Sequence, residues 1–419
     1  MALNAEEWTA DANEALTLSL VRAQEDKEVL TSEEEYEGFH PSFTYPIYGE
    51  DEKLYGYKDL VIDLKFASGS LTTYLGVSHS AQLPTAAAET IDDVEGLLSE
   101  FVPPGYLTSE SEFEAAVEED ARAFRPLGKK IHSYKRVLRE KGKEKATEDQ
   151  EVEFEVYHCT WDTPGFREYH RRIQLFILLY IEGGSYIKED EEGWEFALLF
   201  EKRKRKDATE GYHFIGYSSL FPFYYFPEKV RMRLSQFVIL SPYQGKRHGA
   251  ALYEAIYAYI RTRPDIAELT VEDPAEAFED LRDRCDLTML LAEDTFIREA
   301  FGDEAEGHSV GRASKGKAKA KRGKMGPPVE KGWLEKWRLH FKIASRQFYR
   351  LTEMLQTRHL NALDAQQLKT FRLQVKERLY RFNFETLMQL EKDERQAKLE
   401  ETFQSVLKDY ERIMAPLHL

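Results

Sequence analysis

A mixed α/β (α+β) fold is predicted, with a mixed central sheet, an N-terminal α/β domain and a C-terminal helical extension. Three observations lead there. Between residues 135 and 300, runs patterned as strands alternate with segments of helical spacing. Ahead of them, Leu60–Phe66 and Leu71–Val77 form a β-rich pair joined by a Gly/Ser turn. From Trp333 onward the spacing is helical throughout.

Residues 1–38 are acidic and helix-prone. "TIDDVEGLLSEFVPPGYLTSESEFEAAVEEDARAF" reads as two helices broken at Pro103-Pro104-Gly105. "EVEFEVYH" (151–158) alternates as a strand does. Asp162 to Gly184 reads as one long buried helix, with Ile173, Phe176, Ile177, Tyr180 and Ile181 at helical spacing. Trp194–Phe200 and Phe214–Ser219 read as a hairpin pair, with "EKRKRKDATEGY" as the charged loop between them. Leu234–Leu240 is apolar on both faces, the mark of an interior strand. "ELTVEDP" reads as a strand ending in two carboxylates, and "AEAFEDLRDRCD" as the helix after it. The expected domains are 1–135, 136–300, a flexible basic linker over 301–331 and a helical extension over 332–419. "GRASKGKAKAKRGKMGPP" has seven basic residues and no acid, too little apolar surface to order itself. A solvated linker and a nuclear-import or nucleic-acid patch are both compatible with it.

Composition narrows the function. The chain has 419 residues, 42% of them hydrophobic, enough for two or three domains. Its longest apolar run, Leu175–Ile181, is far short of the roughly 20 residues a bilayer span needs. The start, "MALNAEEWTADANEAL", is acidic and lacks the apolar core of a signal peptide. The only two cysteines, Cys159 and Cys285, form no CxxC pair, so neither a disulfide framework nor a structural zinc site is expected. A net charge of −17 repels nucleic acid and favours basic partners such as lysine-rich peptides, although many soluble proteins are equally acidic.

The stretch with the most chemistry is "ILSPYQGKRHGAALYEAI", Ile239 to Ile256. An apolar strand meets a glycine-bearing basic loop and then an amphipathic helix near Gly249. The first-turn N–H groups of such a helix, beside Lys246, Arg247 and His248, suit a diphosphate. An ordinary strand–helix turn with solvated charges fits the same residues. The GK[ST] ending of a nucleotide-binding P-loop is missing, and no GxGxxG is present.

"QGKRHGA", Gln244 to Ala250, is similar to the acetyl-coenzyme A loop of the GNAT acetyltransferases, whose pattern is Q/R-x-x-G-x-G/A. Together with "RLSQFVILSPYQGKRHGAALYEAI", "LTVEDPAEAFEDLRDRCD", "FTYPIYGEDEKLYGYKDL", "VPPGY" and "GFREYHRRIQLFILLYIEGGSYI", the chain resembles type B histone acetyltransferase catalytic subunits over residues 35–290. The resemblance implies a GNAT fold and acetyl transfer from acetyl-CoA, without a metal, to lysines in the tail of new, free histone H-four. It also implies a WD-repeat histone-binding partner and a location in both cytoplasm and nucleus. Direct nucleic-acid binding is not expected.

By the same resemblance, backbone groups of Phe237, Val238 and Ile239 would pair with the pantetheine arm. Gln244, Gly245, Lys246, Arg247, His248, Gly249 and Ala250 would hold the pyrophosphate, and Arg284 would touch the cofactor. Arg247 stands where the family has glycine. It can serve if its backbone is helical, whereas a positive φ there costs about 1–2 kcal/mol. Ala275 replaces a small polar residue of the relatives.

Lysine must lose its proton before it attacks, and free lysine has a pKa of ~10.4. Glu272 is the implied general base, with Glu182 and Asp273 as supporting carboxylates. "EDP" is equally a good helix start. Glu50, Asp51 and Glu52, with Phe221, Pro222 and Phe223, are the implied contacts to a basic tail. The bland alternatives are a charged turn and ordinary aromatic packing. Two rival functions stay open: a GNAT enzyme acting on a small amine, and a non-catalytic histone-binding scaffold.

Overall fold

The computed structural model describes residues 5–84, 91–138, 150–302, 323–360 and 364–417. They form two compact units, Met1–Pro222 with Arg233–Tyr259, and Phe223–Met232 with Ile260–Leu419.

The first unit opens with β1 (Thr9–Asp11), α1 (Ala12–Ala15), β2 (Leu16–Val21) and α2 (Gln24–Lys27), followed by α3 (Tyr45–Tyr48). The helix-prone reading of residues 1–38 is thus corrected. "LTLSLV" is a strand, and its alternating Leu16, Leu18 and Leu20 are fully buried. Next come β3 (Lys53–Tyr55), β4 (Tyr57–Lys58), β5 (Val61–Ala67), β6 (Thr73–Ser78) and β7 (Ala81–Gln82). β2 pairs parallel to β5, and β5 antiparallel to β6. α4 (Val94–Ser99) and α5 (Glu110–Ala123) are the two predicted helices, capped by Asp93 and Ser109. Phe113 and Val117 of α5 pack on Ala23 and Ala67.

The larger sheet follows. β8 (Lys129–Leu138) is an edge strand absent from the sequence reading; it pairs with β9 (Gln150–Thr160). α6 (Phe166–Tyr180) is the predicted buried helix, shorter than expected at both ends. Most of it is buried, with Glu168 and Arg171 exposed, because it lies between two sheets. Phe176 meets Phe66 of β5 at 4.7 Å, while Phe166 meets Phe196 at 4.8 Å on the other face. Phe196 belongs to β10 (Glu195–Lys204), which pairs antiparallel with β9 and with β11 (Glu210–Tyr225). The "EKRKRKD" stretch is therefore strand for half its length, not loop. Its Glu201, Arg203 and Arg205 point to one face and are buried, whereas Lys204 on the other face is exposed.

β12 (Lys229–Ile239) continues the sheet beside β11, as expected for Leu234–Leu240. The two strands press together at Gly216, where a Cβ would come within 2.4 Å of the Val238 carbonyl oxygen. α7 (His248–Thr262) buries Leu252, Ala255 and Ile256.

In the second unit, β13 (Ile266–Val271) lies beside the first residues of β12, with the Val230 N–H donating to the Asp265 carbonyl at 2.9 Å. α8 (Glu276–Leu291), α9 (Asp294–Phe301), α10 (Lys331–Phe341), α11 (Ser345–His359), α12 (Ala365–Phe382), α13 (Phe384–Met388) and α14 (Lys392–Met414) complete it. The helical reading beyond Trp333 holds. Its core includes Phe371, Val375 and Leu379 of α12 against Phe403 of α14. The buried Glu353 carboxylate accepts from Arg378 and Tyr410. Most of the basic stretch falls at 303–322, outside the described residues. Its last part is packed, since Met325 and Val329 are buried and the Met325 N–H donates to the Ala300 carbonyl. No helix among the described residues is long and apolar enough to cross a membrane. The mixed α/β architecture is as predicted.

Candidate active site

β12 ends at Ile239, and a single turn of 3-10 helix, Ser241–Tyr243, carries the chain into the loop. Pro242 suits that turn because its fixed φ matches the first residues of a helix. Gln244, Gly245, Lys246 and Arg247 follow, all exposed. Gly245 has φ +72° and Arg247 has φ +60°. The question of the missing glycine is settled: Arg247 is left-handed and α7 begins one residue later. Its carbonyl accepts the Ala251 N–H at 3.2 Å and an Arg136 guanidinium N–H at 3.0 Å. The N–H groups of His248, Gly249 and Ala250 have no carbonyl four residues back to pair with inside the helix.

Side chains fix the loop from within. The Gln244 amide donates to the Ile239 carbonyl at 2.7 Å, and the Lys246 ammonium to the Pro242 carbonyl at 3.0 Å. His248 turns inward and is buried. Its Nδ1 is 2.8 Å from the Tyr134 hydroxyl, and its ring meets Phe154 at 4.7 Å. Burial first, then the nearby Arg136 charge, lower its pKa to about 3, so it stays neutral. As a cofactor residue, His248 can offer its backbone N–H and not its imidazole.

Tyr243, just before the loop, is anchored in a buried ionic network. Its hydroxyl donates to Glu201 at 3.1 Å and accepts from Arg22 at 2.9 Å. Glu201 also accepts from Arg22 at 2.7 Å and from Arg203, which reaches on to Glu34. Burial pushes the Glu201 carboxyl upward, but Arg22 and Arg203 more than offset it and hold it well below the usual carboxylate range. Sequence reasoning missed this network. The available signal was the two-residue period of Glu201, Arg203 and Arg205 inside a run that had looked uniformly solvated.

Lys246, Arg247 and Ala250 form one wall of an open cleft of about 530 Å³, and His132, Tyr134 and Arg136 of β8 form the other. Its donor groups are cationic and suit a phosphate-bearing ligand. Phe237, Val238 and Ile239 are the final residues of β12; Val238 and Ile239 are buried.

The remaining expected residues take varied positions. Glu182 of the first unit is exposed in the turn after α6. In the second unit, Glu272 is half-buried and directly follows β13. Asp273 beside it is exposed with φ +30°. Ala275 is the N-cap of α8 and provides no side-chain cap, as its loss of a polar group implies. Arg284 donates to Asp280 at 3.2 Å and to the Ile413 carbonyl at 3.4 Å, so its guanidinium is engaged in helix contacts.

Glu50 and Asp51 are exposed in the turn after α3. Glu52 is committed to structure. It accepts the N–H groups of Thr44 at 2.7 Å and Tyr45 at 3.0 Å, and the Asn13 amide at 2.8 Å. Phe221 packs on Trp194 at 4.9 Å, with Pro222 beside it in the first unit. Phe223, in the second unit, is exposed.

Comparison with known proteins gives the class first. Residues 8–182 match the family model described as "Histone acetyl transferase HAT1 N-terminus", and residues 315–357 match "Fungal HAT1, C-terminal". Among curated relatives, a histone acetyltransferase type B catalytic subunit of Cryptococcus neoformans is 48% identical, covering 99% of each chain. That of Mycosarcoma maydis is 47% identical over 89% of this chain and 82% of its own. The Homo sapiens protein of the same name is 31% identical, over 98% of this chain and 94% of its own. The chain belongs to the family of type B histone acetyltransferase catalytic subunits.

Proposed function

We propose that the chain is a GNAT-type histone acetyltransferase that moves the acetyl group of acetyl-CoA to lysine side chains in the N-terminal tail of newly made histone H-four. The observation that carries this reading is kinship of 48% identity running nearly end to end through a relative of that name. The loop geometry supports it: the first-turn N–H groups of α7 lack intrahelical partners, as an anion-binding helix start requires.

In the proposed reaction, Glu272 takes a proton from the lysine ammonium, directly or through one water. The freed amine attacks the thioester carbon. A C–N bond forms, the tetrahedral oxyanion collapses, the C–S bond breaks and coenzyme A leaves as the thiol after gaining a proton. A backbone N–H from Phe237 to Ile239 would polarise the carbonyl. Glu182 and Asp273 would add negative potential that keeps Glu272 basic and draws in the lysine. Glu50 and Asp51 remain candidates for a basic tail, and Glu52 would act by shaping their turn. The −17 charge favours such a substrate. A WD-repeat histone-binding partner and a working place in cytoplasm and nucleus belong to the same reading. So does a division of labour in which residues 1–135 bear substrate contacts.

The test is transfer of labelled acetyl from acetyl-CoA to a histone tail peptide by the wild type and by Glu272→Gln. Label on peptide lysine that falls about 100-fold or more in the variant supports the reading. Labelling of polyamines but not peptide would make it a small-amine enzyme. Peptide binding without any acetyl-CoA binding would make it a scaffold.

A further inference from the structure

The cleft beside the loop holds more positive charge than a pyrophosphate cradle built from backbone N–H groups needs. Arg136, Lys246 and Arg247 all line it. None of the three lies within ion-pair distance of a carboxylate among the described residues, in a chain with 75 acids against 58 cations. Elsewhere in the same unit, the deeply buried arginines are paired: Arg22 and Arg203 with Glu201, Arg205 with Asp26. The one acid lining the cleft is Glu254, on the second turn of α7.

Arg136 is also held in place. Its guanidinium lies 4.9 Å from the Tyr134 ring centre and 5.7 Å from that of Phe154, and it donates one N–H to the Arg247 carbonyl. A planar fork fixed by stacking and one hydrogen bond keeps its other N–H groups available and has little rotamer entropy left to lose. That bond also clamps Arg247 in its left-handed conformation, which points to a purpose for the strained residue. Two forks and an ammonium on one cleft are the donor set for a dianionic phosphate, since Arg pairs with phosphate oxygens two at a time.

We propose that Arg136, Lys246 and Arg247 form a phosphomonoester site, and that it takes the phosphate on the ribose of coenzyme A. This rests on the acetyl-CoA reading above and extends it from the pyrophosphate to the third phosphate. The site makes Arg136, on edge strand β8, a cofactor-specificity residue. A free anion such as inorganic phosphate shares the chemistry and is separated from coenzyme A by the test.

The experiment is calorimetric titration of the full chain with coenzyme A and with dephospho-coenzyme A, which lacks only that phosphate. The wild type is expected to bind coenzyme A about tenfold or more tightly than the dephospho form, as for a charge-assisted contact. Arg136→Gln should bring the ratio to within about twofold, with binding of the dephospho form little changed. Arg136→Lys, which keeps the charge but not the fork, should fall between, and it serves if the Gln variant folds poorly. Inorganic phosphate should compete with coenzyme A and not with the dephospho form. A wild-type ratio near one, or an unaltered ratio in Arg136→Gln, overturns this site and leaves the acetyl-CoA reading standing. Phosphate that binds the cleft without competing makes it a free-anion site and overturns the cofactor assignment. Failure of both nucleotides to bind overturns the two readings together.

Discussion

Glu201→Gln removes the negative centre of the network behind the loop. The carboxylate is about 1% exposed and receives hydrogen bonds from Arg22 at 2.7 and 3.3 Å, from Tyr243 at 3.1 Å and from Arg203. Gln keeps the shape and one acceptor oxygen. It turns the other oxygen into an NH2 group facing arginine donors, and it leaves buried guanidinium charge uncompensated. Arg203 retains Glu34, so the main loss falls on Arg22, whose only carboxylate partner among the described residues is Glu201. Breaking a buried pair in this way costs about 3–5 kcal/mol. The upper half of that range applies if Tyr243 also loses its acceptor. Urea unfolding followed by tryptophan fluorescence should show the midpoint of the first unit falling, with an unchanged slope. Because Tyr243 precedes Gln244, the folded variant should also bind acetyl-CoA more weakly. A stability loss under about 1 kcal/mol would refute the reasoning, since the network would then be no better than an exposed ion pair.

Arg247→Gly should relieve a left-handed residue worth about 1–2 kcal/mol and lose about 0.5–1 kcal/mol to the freer unfolded chain. Thermal unfolding is expected to show a small net gain, and a loss would mean that the side chain stabilises the loop without ligand. Acid should destabilise the first unit through its buried imidazoles. Burial lowers His248 and His170 to about 3, and it lowers His213 as well. These groups stay neutral when folded and take up protons when unfolded. Stability is therefore fully present above pH ~6.5 and falls as pH drops toward 3, by up to about 1.4 kcal/mol per pH unit for each histidine. A His248→Asn variant should show a shallower slope in that window when unfolding is measured by urea at several pH values. An identical slope would refute the assignment.

The parts of this molecule that were legible in the sequence are those with one dominant period. The α6 stripe, the apolar second half of β12 and the strand–loop–helix order around Gln244 each follow from a local pattern. The loop's family likeness rested on glycine and basic residues that keep their meaning without neighbours. What escaped was set by partners distant in the chain. "EKRKRKD" looks solvated until Arg22 and Glu34 arrive to neutralise its inner face. His248 looks like a loop cation until Tyr134 and Phe154 close over it. Glu52 looks like its exposed neighbours Glu50 and Asp51, yet it caps the turn at Thr44. In each case residue type gave the charge, and only tertiary contact decided whether water or protein would meet it.

The bond between Arg22 and Glu201 joins residues 179 positions apart. On a growing chain emerging at roughly 5–20 residues per second, Arg22 would wait on the order of ten to thirty seconds for its counter-charge. Until then the segment that becomes β2 and its flank holds a guanidinium that cannot be buried without loss. The loop after Tyr243 is made later still. Competence to hold a cofactor is thus among the last properties this unit acquires during synthesis. A nascent chain stalled before residue 201 would have its N-terminal strands available but no anchor for the loop to come.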